Sequence, residues 1–277
     1  MKKWLIAAGI LLFGGLIAGT AGMILLDFDL TRLSTETYTT TTTEITEEFS
    51  AISVDIDTAD IRFIRSEDRI CRAVIRESEK ETHTVSVREN TLIVETRETP
   101  WWEDFTIFSF VSPEIVLYLP DEAYDTLRIE SDTGDMEITA GFRFDRAEIE
   151  TDTGDILWYT PVTDCLSLST DTGDITAQNF SVGQLRLETD TGDVRLTDVL
   201  CRQFTAESST GDIRLERFDA DSLRIETSTG DVTGTLLSEK IFVTETDTGR
   251  VRVPRGSSGG RCEIRTNTGD IELTIAS

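Results

Sequence analysis

Thr-Gly recurs eight times at near-constant spacing from residue 133 onward, with its glycine at 134, 154, 173, 192, 211, 230, 249 and 269. Successive glycines lie 20, 19, 19, 19, 19, 19 and 20 residues apart. A period this constant describes one structural unit laid down repeatedly, and it constrains the fold more than any other feature of the chain. It also bears on Asp190-Thr191-Gly192, a tripeptide shared with aspartic-protease active sites. A catalytic dyad joins two carboxylates across one cleft. Equally spaced copies point instead to a corner repeated along a fold.

Aligned on their glycines, the repeats show apolar columns. Seven residues before the glycine stand Leu127, Ala147, Leu166, Leu185, Phe204, Leu223, Phe242 and Cys262, and five before it Ile129, Ile149, Leu168, Leu187, Ala206, Ile225, Thr244 and Ile264. Two residues after it come Met136, Ile156, Ile175, Val194, Ile213, Val232, Val251 and Ile271. Alternation on both sides of the glycine is the pattern of half-buried strands. The third residue before the glycine is always Ser or Thr, and the one directly before it is always Thr, which suits extended backbone. A tight corner commonly needs φ above zero, so glycine fits it, and flanking Asp side chains accept turn N–H groups. A fainter copy, "AISVDIDTADI" from Ala51 to Ile61, has Ala59 in place of the glycine and brings the count to about nine.

Two architectures satisfy these columns. In a β-solenoid each repeat is one coil and like residues stack about 4.8 Å apart. In an array of hairpins Thr-Gly would be the turn, and the flanking Asp residues would face each other as a like-charge pair. The constant period favours the solenoid, because a coil must close in register with its neighbours. The expectation is an all-β solenoid of about nine coils of 19–20 residues with an irregular antiparallel insertion.

The insertion falls between Arg65 and Leu119, where the period breaks. "ICRAVIRES", "HTVSVREN" and "TLIVETRE" read as strands with a turn at Glu89-Asn90, and "PEIVLYLP" as a fourth. They are expected to cap the amino-terminal end of the solenoid, which would otherwise present an unpaired edge. Within the insertion, Trp101, Trp102, Phe105, Phe108 and Phe110 crowd together, either as a surface for a ligand, glycan or membrane or as a cover over the end of the core. The threonine run of "TYTTTTTEITEEFS" reads as an extended strand entering the first coil, with a glycosylated stalk as the other reading.

At the amino terminus, Lys2 and Lys3 precede 23 uncharged residues from Trp4 to Leu26, enough at 1.5 Å per residue to cross a bilayer core of about 30 Å. The cationic start predicts an inside amino terminus and an extracytoplasmic remainder. A cleaved signal peptide with Gly19-Thr20-Ala21 at its processing site is the rival reading. The expected layout is thus a single transmembrane signal anchor over 1–26, a linker over 27–36, the first coil with its cap over 37–120, and the repeats over 121–277.

Charge narrows the partners. With 26 basic against 52 acidic residues, a net charge of −26 repels nucleic acid and anionic lipid. The acidic column after the glycine, Asp135, Asp155, Asp174, Asp193, Asp212 and Asp231, would in a stack place carboxylates about 5 Å apart, repelling by roughly 1 kcal/mol per pair in water. Calcium could offset this, since carboxylate oxygens suit it. Hydrogen bonds to threonine hydroxyls and turn N–H groups are the alternative, and neither the nine-residue Gly-Gly-x-Gly-x-Asp repeat nor an Asp-x-Asp-x-Asp-Gly loop occurs. No other cofactor is expected. Arg250 interrupts the column and would fall between Asp231 and Asp270 as a neutralising rung.

With Arg252, Arg255, Arg261 and Arg265, Arg250 makes the carboxyl-terminal end basic, a surface for an anionic envelope polymer or for a second copy. The sequence stops at "DIELTIAS" without a capping segment, so the last coil is expected to leave an open edge for self-association. Four cysteines, Cys71, Cys165, Cys201 and Cys262, form no Cys-x-x-Cys pair and read as small buried hydrophobes. One histidine, no phosphate-binding glycine loop and no His/Cys cluster leave no enzyme signature.

The short anchor, the strand region ending in "IVLYLP" and the repeated "TDTGDI" and "ETDTGDV" segments together resemble a bacterial adhesin-like family of unknown function, over residues 37–277. The resemblance implies a β-solenoid-like domain outside the cell membrane, in some members tied to envelope-stress systems, and transfers no catalytic residue. The expected function is a membrane-anchored adhesin or envelope scaffold. An accessory of an envelope-stress sensor is the alternative, and a solenoid enzyme on polysaccharide a further one.

Overall fold

The computed structural model of the protein describes residues 38–78, 82–97, 113–256 and 258–276, all β with no helix. The expected anchor over 1–26, the linker and the aromatic cluster Trp101, Trp102, Phe105, Phe108 and Phe110 lie outside the described residues.

The repeats form the coils of a parallel β-solenoid, as their alternation requires. Strands β8 (Ala123–Thr133), β10 (Arg143–Thr153) and β12 (Val162–Thr172) stack in register, each followed by its corner. Short strands β9 (Met136–Ile138) and β11 (Ile156–Trp158) lead away from the first two corners. In β13 (Ile175–Thr191), β14 (Val194–Thr210) and β15 (Ile213–Thr229) one 17-residue strand covers almost a whole coil. These coils bend at Asn179, Asp198 and Arg217, whose φ values of 60°, 55° and 48° take the backbone through the left-handed region. Pairing is parallel throughout, with Leu168 beside Leu187, then Ala206, then Ile225. A hairpin array would have paired antiparallel.

Every apolar column points inward. Leu168, Leu187, Ala206 and Ile225 are fully buried, as are Ile156, Ile175, Val194 and Ile213 after the corners. The amino-terminal half of the core is widened by rings, with Phe49, Tyr124, Phe144 and Trp158 in sequence at centroid separations of 5.9, 5.7 and 6.1 Å. The Trp158 indole N–H is satisfied by the Thr160 carbonyl at 2.5 Å.

The first coil is the faint copy: β2 (Ala51–Thr58) and β3 (Asp60–Arg65) lie parallel on β8 and β9. Their outer edges are covered by β6 (Thr91–Thr96) and β7 (Glu114–Leu119), which lie parallel on them as one more layer, so the insertion caps the stack but is not antiparallel throughout as expected. Strand β5 (His83–Arg88) turns into β6 at Glu89-Asn90, both with positive φ, and β4 (Cys71–Ser78) runs antiparallel to β7. The threonine run is strand β1 (Tyr38–Ile45), but it lies antiparallel on β4 at the outside of the cap rather than entering the first coil.

At the other end the order of coils departs from the order of sequence. After β15 and β16 (Val232–Leu236), the chain makes β17 (Lys240–Thr248) and β18 (Val251–Arg252), then β19 (Gly260–Thr268) and β20 (Ile271–Ile275). The last pair inserts beneath the one before it. Strand β19 lies between β15 and β17, and β20 between β16 and β18. The expected open edge on the final repeat is therefore absent among the described residues, because Cys262, Ile264 and Ile271 are covered on both sides and fully buried. The outermost coil is β17–β18, an internal stretch of the sequence.

Candidate interaction surfaces

The corners form the most regular surface of the molecule. In spatial order they are Ala59, Gly134, Gly154, Gly173, Gly192, Gly211, Gly230, Gly269 and Gly249, each corner N–H before the last donating to the threonine carbonyl of the next coil at 2.9–3.0 Å. A Cβ on Gly192 would stand 1.9 Å from the carbonyl oxygen of Gly173, and one on Gly269 would stand 2.0 Å from that of Gly230. Close approach of stacked corners, added to a φ of 155° at Gly192, thus excludes a side chain. The glycine carbonyl, left without a backbone partner, accepts the buried hydroxyl three residues before the next glycine, as Thr170 donates to Gly154 at 3.1 Å and Thr266 to Gly230 at 3.3 Å. At Ser208 and Thr227 this bond is not made, and Ser131 and Thr151 donate instead to the carbonyls of Thr133 and Thr153 at 3.4 Å.

The acidic column is a hydrogen-bonded ladder. The backbone N–H of Asp135 donates to Oδ1 of Asp60, and the N–H of Asp155, Asp174, Asp193, Asp212 and Asp231 each donates to Oδ1 of the Asp one coil below, at 2.8–3.1 Å. The ladder continues to Asp270 on Asp231 at 2.7 Å and ends at Arg250 on Asp270 at 2.8 Å. Turn amides therefore meet the carboxylates, while the hydroxyls of Thr170, Thr189, Thr246 and Thr266 go to glycine carbonyls. Among the described residues no group of three or more His, Cys, Asp or Glu converges as a metal site would.

Arg195 bridges two rungs, with Asp174 at 2.7 Å and Asp193 at 2.6 Å. Burial raises the Asp174 carboxyl, but the Arg195 bond and the Asp193 amide outweigh it and hold it below its ordinary value.

Arg250 is the end of the ladder rather than a rung within it. The inserted last coil puts Asp270, not Arg250, next to Asp231, and the Arg250 guanidinium then closes on Oδ2 of Asp270 at 3.1 and 2.7 Å. That bond, with the Arg250 amide, holds the Asp270 carboxyl below its ordinary value. The remaining basic residues are likewise spread over the last two coils. Arg261 meets Glu263 at 2.8 Å, Arg265 meets Glu263 at 3.0 Å and Glu245 at 3.6 Å, and Arg252 meets Glu272 at 3.8 Å. Arg255 lies in the connection from β18 to β19.

Beside this basic end the outermost coil exposes apolar residues that sequence reasoning missed. Ile241, Val243 and Val251 are 42–46% exposed, with Leu237 just after β16 at 42%, while Phe242 is only partly covered by the core. The signal was in the columns: Thr244 stands where other repeats are apolar or Ala, and Arg250 stands where they carry Asp. A coil with nothing stacked beyond it needs neither. Sequence reasoning also missed Lys240, which is buried with its ammonium on Asp219 at 2.5 Å and on Ser238 at 2.6 Å.

All four cysteines are free, Cys71 and Cys262 buried and the other two half-buried. Burial pushes the thiols of Cys71, Cys201 and Cys262 up to about 12, so they are not nucleophiles at neutral pH. Burial lowers the His83 imidazole, opposed by Glu77 at 3.2 Å.

The family model described as Toastrack DUF4097 matches residues 49–274, and the chain belongs to that family. Among solved structures, a "putative adhesin" from Bacteroides fragilis superposes with a TM-score of 0.51 at 14% identity, covering 87% of this chain and 97% of that one. A "putative adhesin" from Parabacteroides distasonis covers 86% of this chain and 98% of that one, with 8% identity and a TM-score of 0.46. A "putative lipid binding protein" from the same species covers 86% and 97%, with 11% identity and a TM-score of 0.38. No curated protein matches the chain.

Proposed function

We propose that this Toastrack chain is a single-pass membrane protein whose solenoid projects outside the cytoplasm and binds components of the cell envelope, as an adhesin or scaffold. The observation that carries the reading is the unbroken ladder from Asp60 to Arg250, which locks nine coils into one stiff stack and repeats the same outward side chains from coil to coil. A stiff, periodic surface suits an extended polymer or another protein better than a small substrate. The uncharged segment from Trp4 to Leu26 behind Lys2 and Lys3 supplies the anchor. The adhesin name of the Bacteroides fragilis protein agrees with this role.

Two surfaces are the candidates for contact: the aromatic segment with Trp101, Trp102, Phe105 and Phe108, and the basic end with Arg250, Arg252, Arg255, Arg261 and Arg265. Co-sedimentation of the full chain with purified envelope material tests them. Replacing Trp101 and Trp102 by Ala, or the five arginines by Ser, is expected to weaken binding at least about tenfold in one case, the loss of one buried anchor or charge cluster. Binding retained in both variants would overturn the assignment.

A further inference from the structure

We propose that the open edge of β17 and β18 is where two copies of this chain meet, tail to tail, by antiparallel pairing of β17 with β17 of the second copy. Among the described residues β17 pairs with β19 alone and β18 with β20 alone, so one side of each has no further strand, and the connection from β18 touches β17 at the Lys240 carbonyl, beside Gly256. Exposed strand edges in natural proteins are normally guarded by lysine, proline or a bulge. This one is not. The single lysine of β17, Lys240, is turned inward onto Asp219 and Ser238, and the strand contains no proline.

What the edge offers is apolar. Of the six large hydrophobic side chains exposed among the described residues, three, Ile241, Val243 and Val251, belong to this coil and Leu237 directly follows β16 one coil in, whereas Ile70 and Leu200 lie far from it in the chain. With the two-fold axis beside Phe242, Ile241 of each copy falls opposite Val243 of the other, and the two Phe242 rings meet over the end of the core. The partly covered apolar column of one solenoid would thereby continue into the next.

Charge argues for a second copy at this place. The whole chain carries 52 acidic against 26 basic residues, so most faces of two copies repel. Between 240 and 265 six basic residues stand against three acidic ones, and with Asp270 and Glu272 beside Arg250 and Arg252 this end is close to neutral. The tail is thus the end at which two such acidic molecules approach at least electrostatic cost. The opposite end offers no equivalent, since the outer strand β1 shows exposed threonines from 39 to 43 and no apolar face.

The pairing has a geometric consequence that rests on the membrane-anchored reading. The amino-terminal cap and the β17 edge lie at opposite ends of a nine-coil stack roughly 40 Å long, at about 4.8 Å per coil. Tail-to-tail copies would therefore hold their anchors at the two far ends, joining opposing surfaces.

The pairing itself is tested without any surface, by sedimentation of the full chain in detergent at tens of micromolar and by cross-linking. The 30.9 kDa chain is expected to run at twice its monomer mass. Ile241→Lys with Val243→Lys should return it to monomer, while Leu200→Lys should not. Val243→Cys should cross-link between copies with a short bis-maleimide, and Leu200→Cys should not. A wild-type monomer would overturn the proposal. So would a dimer that survives both lysines and gives no Val243→Cys cross-link, which would place the association elsewhere. Far-ultraviolet circular dichroism of the lysine variants confirms that the solenoid is kept. Loss of envelope binding with the cross-link intact would sink the adhesin reading and leave the dimer standing.

Discussion

The middle coils β13–β15 and the outermost coil β17–β18 are built from the same repeat, yet the same positions do different things in them. Five residues before the glycine, Leu187, Ala206 and Ile225 are fully buried, whereas Thr244 is half-buried. Two residues after it, Val194 and Ile213 are fully buried, whereas Val251 is 42% exposed. After the glycine itself, Asp193 and Asp212 accept the amide of the next coil, whereas Arg250 accepts none and closes the ladder. A repeat acquires its energetics from having a neighbour on both sides, and a coil with one neighbour can abandon half of its consensus.

The sharpest way to break this comparison is at the corner. Gly192→Ala places a methyl 1.9 Å from the Gly173 carbonyl with coils packed on both sides, and is expected to cost about 3–5 kcal/mol in denaturant unfolding. Gly249→Ala meets the Gly269 carbonyl at 2.0 Å, but in the dilute, monomeric chain the outermost coil is free to lift, so its cost there should be clearly smaller. Equal costs would mean that the outer coil is held as rigidly as the inner ones.

The core gives the next effect in size. Ile225→Ala in a fully buried column is expected to destabilise by about 2–5 kcal/mol, and Val251→Ala on the outer coil by less than about 0.5 kcal/mol. Thermal melts that fail to separate the two would remove the distinction between inner and outer coils.

Acid unfolding probes the ladder and gives the smallest effect. The Asp174 carboxyl is held below its ordinary value, so its contribution is complete above the unfolded value near 4 and is lost as pH falls through the lower folded value. Arg195→Ala should move the acid midpoint upward while costing less than about 1 kcal/mol at pH 7, because both partners are about two-fifths exposed. An unchanged acid midpoint would show that the amide ladder carries the Asp column without its arginine bridge.

Much of this was legible residue by residue. Alternation around each glycine assigned the inward columns, the broken period between Arg65 and Leu119 marked the cap, and Glu89-Asn90 marked its turn. The corner glycine was legible as a glycine but for half of the reason, because torsion is a local property and the approach of the Gly173 carbonyl to Gly192 is not. Ala59 makes the point from the other side: it occupies the first corner of the stack, where the layer beyond is built by β6 and β7 of the cap. The basic end was legible as a cluster in sequence, but Arg250, Arg252, Arg261 and Arg265 each meet an acid once the coils are stacked.

The sequence by itself determined the coil: its length, its buried columns and its corner, all of which follow from a short-range period. Only the tertiary structure decided the order of the coils. Every coil presents the same columns in the same register, so any one can stack on any other, and local pattern carries no information about which does. The choice fell to contacts particular to the end, with Lys240 tied to Asp219, Gly259 and Gly260 passing against the carbonyls of Glu239 and Asp221, and Arg250 closing on Asp270. Those contacts place the last repeat inside the stack and leave the one before it facing solvent.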